Sequence, residues 1–226
     1  MAEQTRARTA AARGEALEGW ALVGWSALAL SGMTLLLLAV YGAGEPGLRV
    51  LIRATARSSL ALFLPAFAAS SLRRLWPTPF SAWLLRNRRQ VGISFAVSHG
   101  PHLAAILALA LRHPESFEAS TLTLVGGGLG YVFIAAMAAT SSDAAVRTLG
   151  ARRWKWLHRA GMWVIFVIFA QSYVPAPLHD LRYAPASLAV LGALALRIAA
   201  RLRSDRLPRR REHRRPAPQA RAPGTR

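Results

Sequence analysis

Residues 20–41 read WALVGWSALALSGMTLLLLAVY, a run without a single charged side chain. A bilayer core of about 30 Å needs roughly 20 apolar residues of α-helix, so this run is long enough to cross a membrane. Further apolar runs of this kind extend over Gln90 to Leu111, Ala119 to Ser142, Trp154 to Leu178 and Tyr183 to Leu196, and a weaker one, flanked by arginines, over Ser58 to Trp76. The sequence therefore predicts an all-α fold, a polytopic membrane helical bundle of six transmembrane helices.

The basic residues predict the orientation of this bundle. The chain has 226 residues, a net charge of +19 and 29 Lys and Arg residues. With a cytoplasmic N-terminus, 24 of these 29 fall in inner segments, and the positive-inside rule favours that arrangement. Both termini are then cytoplasmic. The expected organisation is a cytoplasmic segment 1–19, a transmembrane domain 20–203 and a disordered basic tail 204–226, whose composition favours disorder.

Composition also excludes several classes of site. The chain has no cysteine, which rules out disulfides, iron–sulfur clusters and covalently attached haem. The basic residues flank apolar runs, so membrane lipid and not nucleic acid is the expected anionic partner. No glycine-rich nucleotide-binding pattern occurs, and we expect no flavin or nicotinamide site in this chain.

Three histidines fall within the predicted spans: His99, His102 and His158. Ionisable side chains inside a bilayer are costly and usually have a function or a specific partner. His99 and His102 are three residues apart on one helix, so they cannot occupy opposite sides of the same iron atom. Neutral imidazole is a common haem ligand in helical bundles, whereas hydrogen bonds between helices are the simpler interpretation.

Two motifs around these histidines resemble a known family. Residues 88–102 read RRQVGISFAVSHGPH and residues 149–159 read LGARRWKWLHR. They resemble motifs of the ferric reductase-like transmembrane domain family, which includes ferric reductases, NADPH oxidases and the bacterial haem-binding membrane subunit of a methionine sulfoxide reductase system. The resemblance covers roughly residues 50–175.

The resemblance implies an electron-transfer subunit of an oxidoreductase that binds haem b in a bacterial inner membrane. Because this chain shows no flavin or nicotinamide pattern, electrons would come from quinol or a separate reductase. They would leave to a periplasmic acceptor protein. No catalytic residue is assigned.

Carried over residue by residue, the family's third-helix haem ligand falls on His102 and its first fifth-helix ligand on His158. The second fifth-helix histidine of the family falls on Gln171, which departs from the pattern. Three arrangements stay open: an inner haem between His99 and His158, a His102 haem whose far side meets Gln171 or nothing, and loss of haem altogether.

Two further groups of residues allow more than one interpretation. Arg53 and Arg57, with Arg49, recur every four residues, either as an amphipathic helix entry or as partners of haem propionates. Gly126 and Gly130 form a G-x-x-x-G pattern that favours close helix packing. The alternative function is that of a non-redox six-helix membrane protein, such as a transporter, sensor or assembly scaffold, that keeps the fold without haem.

Overall fold

The computed structural model describes residues 18–206, and this part of the chain is helical without strands. Predictions for residues 1–17 and 207–226, including most of the expected cytoplasmic segment and the basic tail, lie outside the described residues. The α-helices are, in chain order, α1 (Gly19–Tyr41), α2 (Glu45–Leu75), α3 (Pro79–Arg86), α4 (Arg88–Arg112), α5 (Thr121–Ala139), α6 (Asp143–Leu149), α7 (Ala151–Tyr173) and α8 (Ala184–Arg206).

Six of these helices are long and apolar enough to cross a membrane, as the sequence predicted: α1, α2, α4, α5, α7 and α8. The short helices α3 and α6 connect spans at the end of the bundle that the arginine distribution assigns to the cytoplasm. The fold class, an all-α multi-pass membrane protein, is therefore confirmed.

The second span is longer than its apolar run. It was predicted to begin at Ser58, yet α2 begins at Glu45, with Pro46 in its first turn. Proline is well tolerated there because the first backbone N–H groups of a helix have no intrahelical partner. The arginines of the entry are exposed or half-buried, whereas Leu48, Leu51 and Thr55 are buried, so the segment forms an amphipathic helix.

Helix α2 is the centre of the bundle, in contact with α1, α3, α4 and α8. Its broadest interface is with α4, where small polar side chains lie between the helices. The Oγ atoms of Ser59 and Ser98 are 2.7 Å apart, and both residues are fully buried. Hydroxyl groups of this kind let helix backbones approach closely and stabilise helix association in lipid.

Helices α5 and α7 form a second pair through one glycine from each helix. A Cβ atom on Gly130 would lie 2.8 Å from Ile168 Cδ1, and one on Gly161 would lie 2.6 Å from Met137 Sδ. Gly126 has no such neighbour within 4 Å. The glycine-mediated contact predicted for α5 is thus present at Gly130 but not at Gly126.

Aromatic rings fill the centre of the bundle and join α2, α4 and α7. The Phe63 ring centroid lies 5.3 Å from those of both Phe95 and Phe169, and Phe67 stacks on Phe166 at 4.7 Å. Aromatic pairs at these distances contribute attraction beyond the area they bury. This cluster holds α4 and α7, the two histidine-bearing helices, in one body.

Candidate functional site

His102 is held by a hydrogen bond that determines which ring nitrogen carries the proton. Its Nδ1 atom lies 2.9 Å from Oγ1 of Thr55, a fully buried residue of α2. The single hydroxyl proton of Thr55 is directed at backbone carbonyls, 2.7 Å from Leu51 O and 3.1 Å from Ile52 O. Thr55 Oγ1 therefore accepts the Nδ1 proton of His102, and Nε2 of that ring has a free lone pair.

His99 has the same tautomer through a different partner. Its Nδ1 atom lies 3.1 Å from the carbonyl oxygen of Phe95, which only accepts hydrogen bonds, so Nδ1 donates. Again Nε2 has the lone pair. The ring lies beside that of Tyr131 on α5, with centroids 5.6 Å apart, and 5.8 Å from the ring of His102.

His158 has the opposite arrangement. Its Nε2 atom is 3.1 Å from Oγ1 of Thr140, whose proton is directed at Ala136 O at 2.7 Å, so Nε2 donates to the threonine. The ring also packs on Trp154 at 4.3 Å, and the Trp154 indole donates to Thr140 O. In this conformation only Nδ1 of His158 has a lone pair for a ligand.

The structure brings His99 and His102 together but places His158 elsewhere. His99 lies beside Tyr131 of α5, whereas His158 lies beside Thr140, nine residues nearer the inner end. At 1.5 Å per residue, the two sites are about 14 Å apart along α5. Metal–nitrogen bonds are roughly 2 Å long, so His99 and His158 do not share one iron in this conformation.

The remaining predicted site residues lie outside this pair of histidines. Arg53 and Arg57 are exposed, and because each is two residues from Thr55 they project from the opposite side of α2. The Arg57 guanidinium lies over the Tyr183 ring at 5.2 Å. Gln171 is exposed on α7, whose buried face carries Phe169 and Tyr173.

The donor set around α4 fits a haem iron better than a free metal ion. In the described part of the chain, no group of three or more His, Asp, Glu or Cys side chains is arranged to hold an ion. Instead, two uncharged imidazoles each have a free Nε2, and their Nδ1 protons are held by Thr55 and by a backbone carbonyl. Such partners fix the ring orientation of a ligating histidine. Gly100 is exposed, with open space where a Cβ would lie, but it is two residues from His102 and therefore lies on the opposite side of α4 from that ring.

The partners Thr55, Thr140 and Tyr131 were not among the sequence-predicted residues. Each is a hydroxyl-bearing residue within or at the end of an apolar run. A polar side chain in an apolar run is the one sequence signal that could have pointed to these three residues. Which histidine each one contacts depends on helix packing.

The protein is therefore a multi-pass membrane protein with six membrane-spanning helices. Its candidate site consists of two histidines, His99 and His102, whose ring tautomers are fixed by hydrogen bonds. Comparison with known proteins finds a relative, the protein-methionine-sulfoxide reductase heme-binding subunit MsrQ of Ralstonia nicotianae. The two are 35% identical over 139 residues, which is 58% of this chain and 62% of the relative, so the chain spans less than two thirds of the relative's length. This similarity confirms the resemblance found in the sequence motifs. No family model and no solved structure matches.

Proposed function

We propose that this protein is a haem-binding membrane subunit that transfers electrons to an acceptor protein at the outer face of a bacterial inner membrane. The observation that carries the proposal is the pair of imidazoles on α4, His99 and His102, each with Nδ1 held as a donor and Nε2 free. The curated relative is named as a heme-binding subunit of a methionine sulfoxide reductase, which agrees with this chemistry.

His102 is the residue that would hold the haem, as the sequence motif implies. Thr55 orients its ring, and second-shell acceptors of this kind raise the basicity of the ligating nitrogen. His99, one turn away, is the alternative ligand. A bound haem b would supply one-electron chemistry at its iron.

The depth of these residues suits transfer across the membrane. At 1.5 Å per residue, His99 and His102 lie roughly 16 and 21 Å along α4 from its inner end at Arg88. The rings of Phe95 and Tyr131 pack against the His99 imidazole, with centroids 4.5 and 5.6 Å from its own. Electrons enter from quinol or from a separate reductase and leave to a periplasmic acceptor protein; the relative is likewise named as a subunit of a methionine sulfoxide reductase.

We propose that His158 does not belong to the same site as the histidine ligand on α4. Its Nε2 donates to Thr140, and it lies within electrostatic range of Arg88, the first residue of α4. We therefore expect His158 to support the inner end of the bundle rather than to face His102 across one iron.

Alanine variants of single histidines test this assignment, with haem content per protein measured from the absorption of purified samples. We expect His102→Ala to lose most of its haem and His158→Ala to retain the α4 haem. The exposed His179 provides a matched control, and His179→Ala should behave as the unmodified protein. Full haem content in both His99→Ala and His102→Ala would refute the site.

A further inference from the structure

Two arginines from different helices converge on neighbouring carbonyl groups of α2. Arg88 Nε of α4 donates to Ala66 O, and Arg197 Nη1 of α8 donates to Phe67 O, both at 2.9 Å. The Arg197 guanidinium also lies over the Phe67 ring at 4.2 Å and the Trp163 ring at 5.0 Å. Both side chains are therefore held in place and directed into the seam between helices.

Further positive charge surrounds this pair. Arg159 of α7 and Arg201 of α8 are close enough to repel the Arg197 guanidinium, as is Arg88. Among the side chains that the structure describes, none of these four arginines forms a salt bridge; the ion pairs present involve other cations. Like charges this close repel one another, and an anion bound between them would relieve that repulsion.

The hydrogen-bonding capacity of the pair is largely unused. A guanidinium has five N–H donors. Arg88 uses Nε, and Arg197 uses one N–H of Nη1; in the described part of the chain no protein acceptor is found for their other donors. The paired N–H groups of two guanidinium ions match the oxygens of a phosphate group, which guanidinium binds in bidentate geometry.

We propose that Arg88 and Arg197, with Arg159 and Arg201, bind the phosphate of an anionic phospholipid in the cytoplasmic leaflet. The arginines lie towards the inner end of the bundle, since Arg88 is the first residue of α4, Arg159 the ninth residue of α7, and Arg201 lies five residues before the end of α8. Basic pockets between transmembrane helices on this side bind such headgroups.

Apolar side chains beside the arginines favour a lipid over a water-soluble phosphate. Ile198 and Leu202 flank Arg197 and Arg201 on α8, and their exposed fractions are 51% and 54%. Trp156 on α7 is 70% exposed, three residues before Arg159. A ligand that meets both the guanidinium groups and these surfaces needs a phosphate and acyl chains in one molecule.

The test is lipid binding by the purified full chain in mild detergent. Cardiolipin, phosphatidylcholine and glycerol 3-phosphate are added separately, and retained lipid is counted by native mass spectrometry while thermal unfolding is followed. We expect cardiolipin to be retained and to raise the unfolding temperature, phosphatidylcholine to do neither, and glycerol 3-phosphate not to displace cardiolipin. Each of Arg88→Gln and Arg197→Gln should weaken cardiolipin binding about fivefold.

Arg203→Gln is the matched control, because Arg203 is exposed and, among the residues that the structure describes, its one hydrogen bond is to a backbone carbonyl at the end of α2. It should bind cardiolipin almost as the unmodified chain does. Equal retention of cardiolipin and phosphatidylcholine by the unmodified protein would overturn the proposal, and so would displacement of cardiolipin by glycerol 3-phosphate. Both outcomes are measured on the unmodified protein, so they apply even if an arginine variant fails to fold. The proposal does not depend on the haem site, since His102→Ala should retain cardiolipin normally.

Discussion

Replacing Thr55 with valine tests the role of the α2–α4 hydrogen bond at His102. Valine has nearly the shape of threonine, so the fully buried position stays filled while the Oγ1 acceptor 2.9 Å from His102 Nδ1 is removed. The Nδ1–H group then keeps only the neighbouring Ile52 carbonyl as an acceptor, and the lost hydrogen bond costs about 0.5–1.5 kcal/mol. Loss of a second-shell partner typically lowers metal affinity about 10–100-fold, and we expect an effect of that size on haem retention.

The assay titrates haem into Thr55→Val protein purified without haem and measures affinity by absorption, with helical content followed by circular dichroism. Thr34→Val serves as the control, because among the described residues Thr34 Oγ1 donates to Leu30 O of its own helix and to no other acceptor. We expect Thr34→Val to bind haem as the unmodified chain does. The reasoning is refuted if Thr55→Val binds haem with unchanged affinity while His102→Ala does not bind it.

Three further predictions follow from the packing and the charges. A Gly161→Ala substitution places a methyl group in the already filled α5–α7 contact, and we expect it to lower the free energy of unfolding by about 1–3 kcal/mol. In the same thermal unfolding assay, Gly126→Ala should be neutral or slightly stabilising because its Cβ meets open space. Gln171→His should leave the haem absorption spectrum unchanged because position 171 is exposed; new bis-histidine features would contradict the α7 orientation described here. Reporter fusions should place segments 73–89 and 147–159 in the cytoplasm, and a periplasmic result for either segment would contradict the six-span topology.

Much of the fold was predictable because membrane spans follow from local composition. The uncharged runs predicted six spans, and six helices of that kind are present. The start of α2 was placed too late because the prediction relied on uncharged length, while an amphipathic helix continues through Arg49, Arg53 and Arg57 with its other face buried. A hydrophobic run therefore predicts the lipid-exposed length of a helix more accurately than it predicts the residues at which the helix begins and ends.

The site was predictable only in part, because tautomers and pairings depend on contacts between distant segments. His99 and His102 were identified from their spacing and motif, but Thr55 is 47 residues before His102 and no local pattern links them. Likewise, the partner of His158 is Thr140 at the end of α5, which separates this histidine from the α4 pair. Close packing at Gly161 also depends on the neighbouring helix and could not be read from α7 alone.

The most direct test of the central claim is the reduced-minus-oxidised absorption spectrum of the full chain, produced with ample haem supply and purified in mild detergent. We expect b-type haem bands in the unmodified protein and their loss in His102→Ala, or in His99→Ala if the neighbouring histidine is the ligand. An unmodified protein that is folded and inserted in the membrane but shows no haem bands would contradict the electron-transfer function.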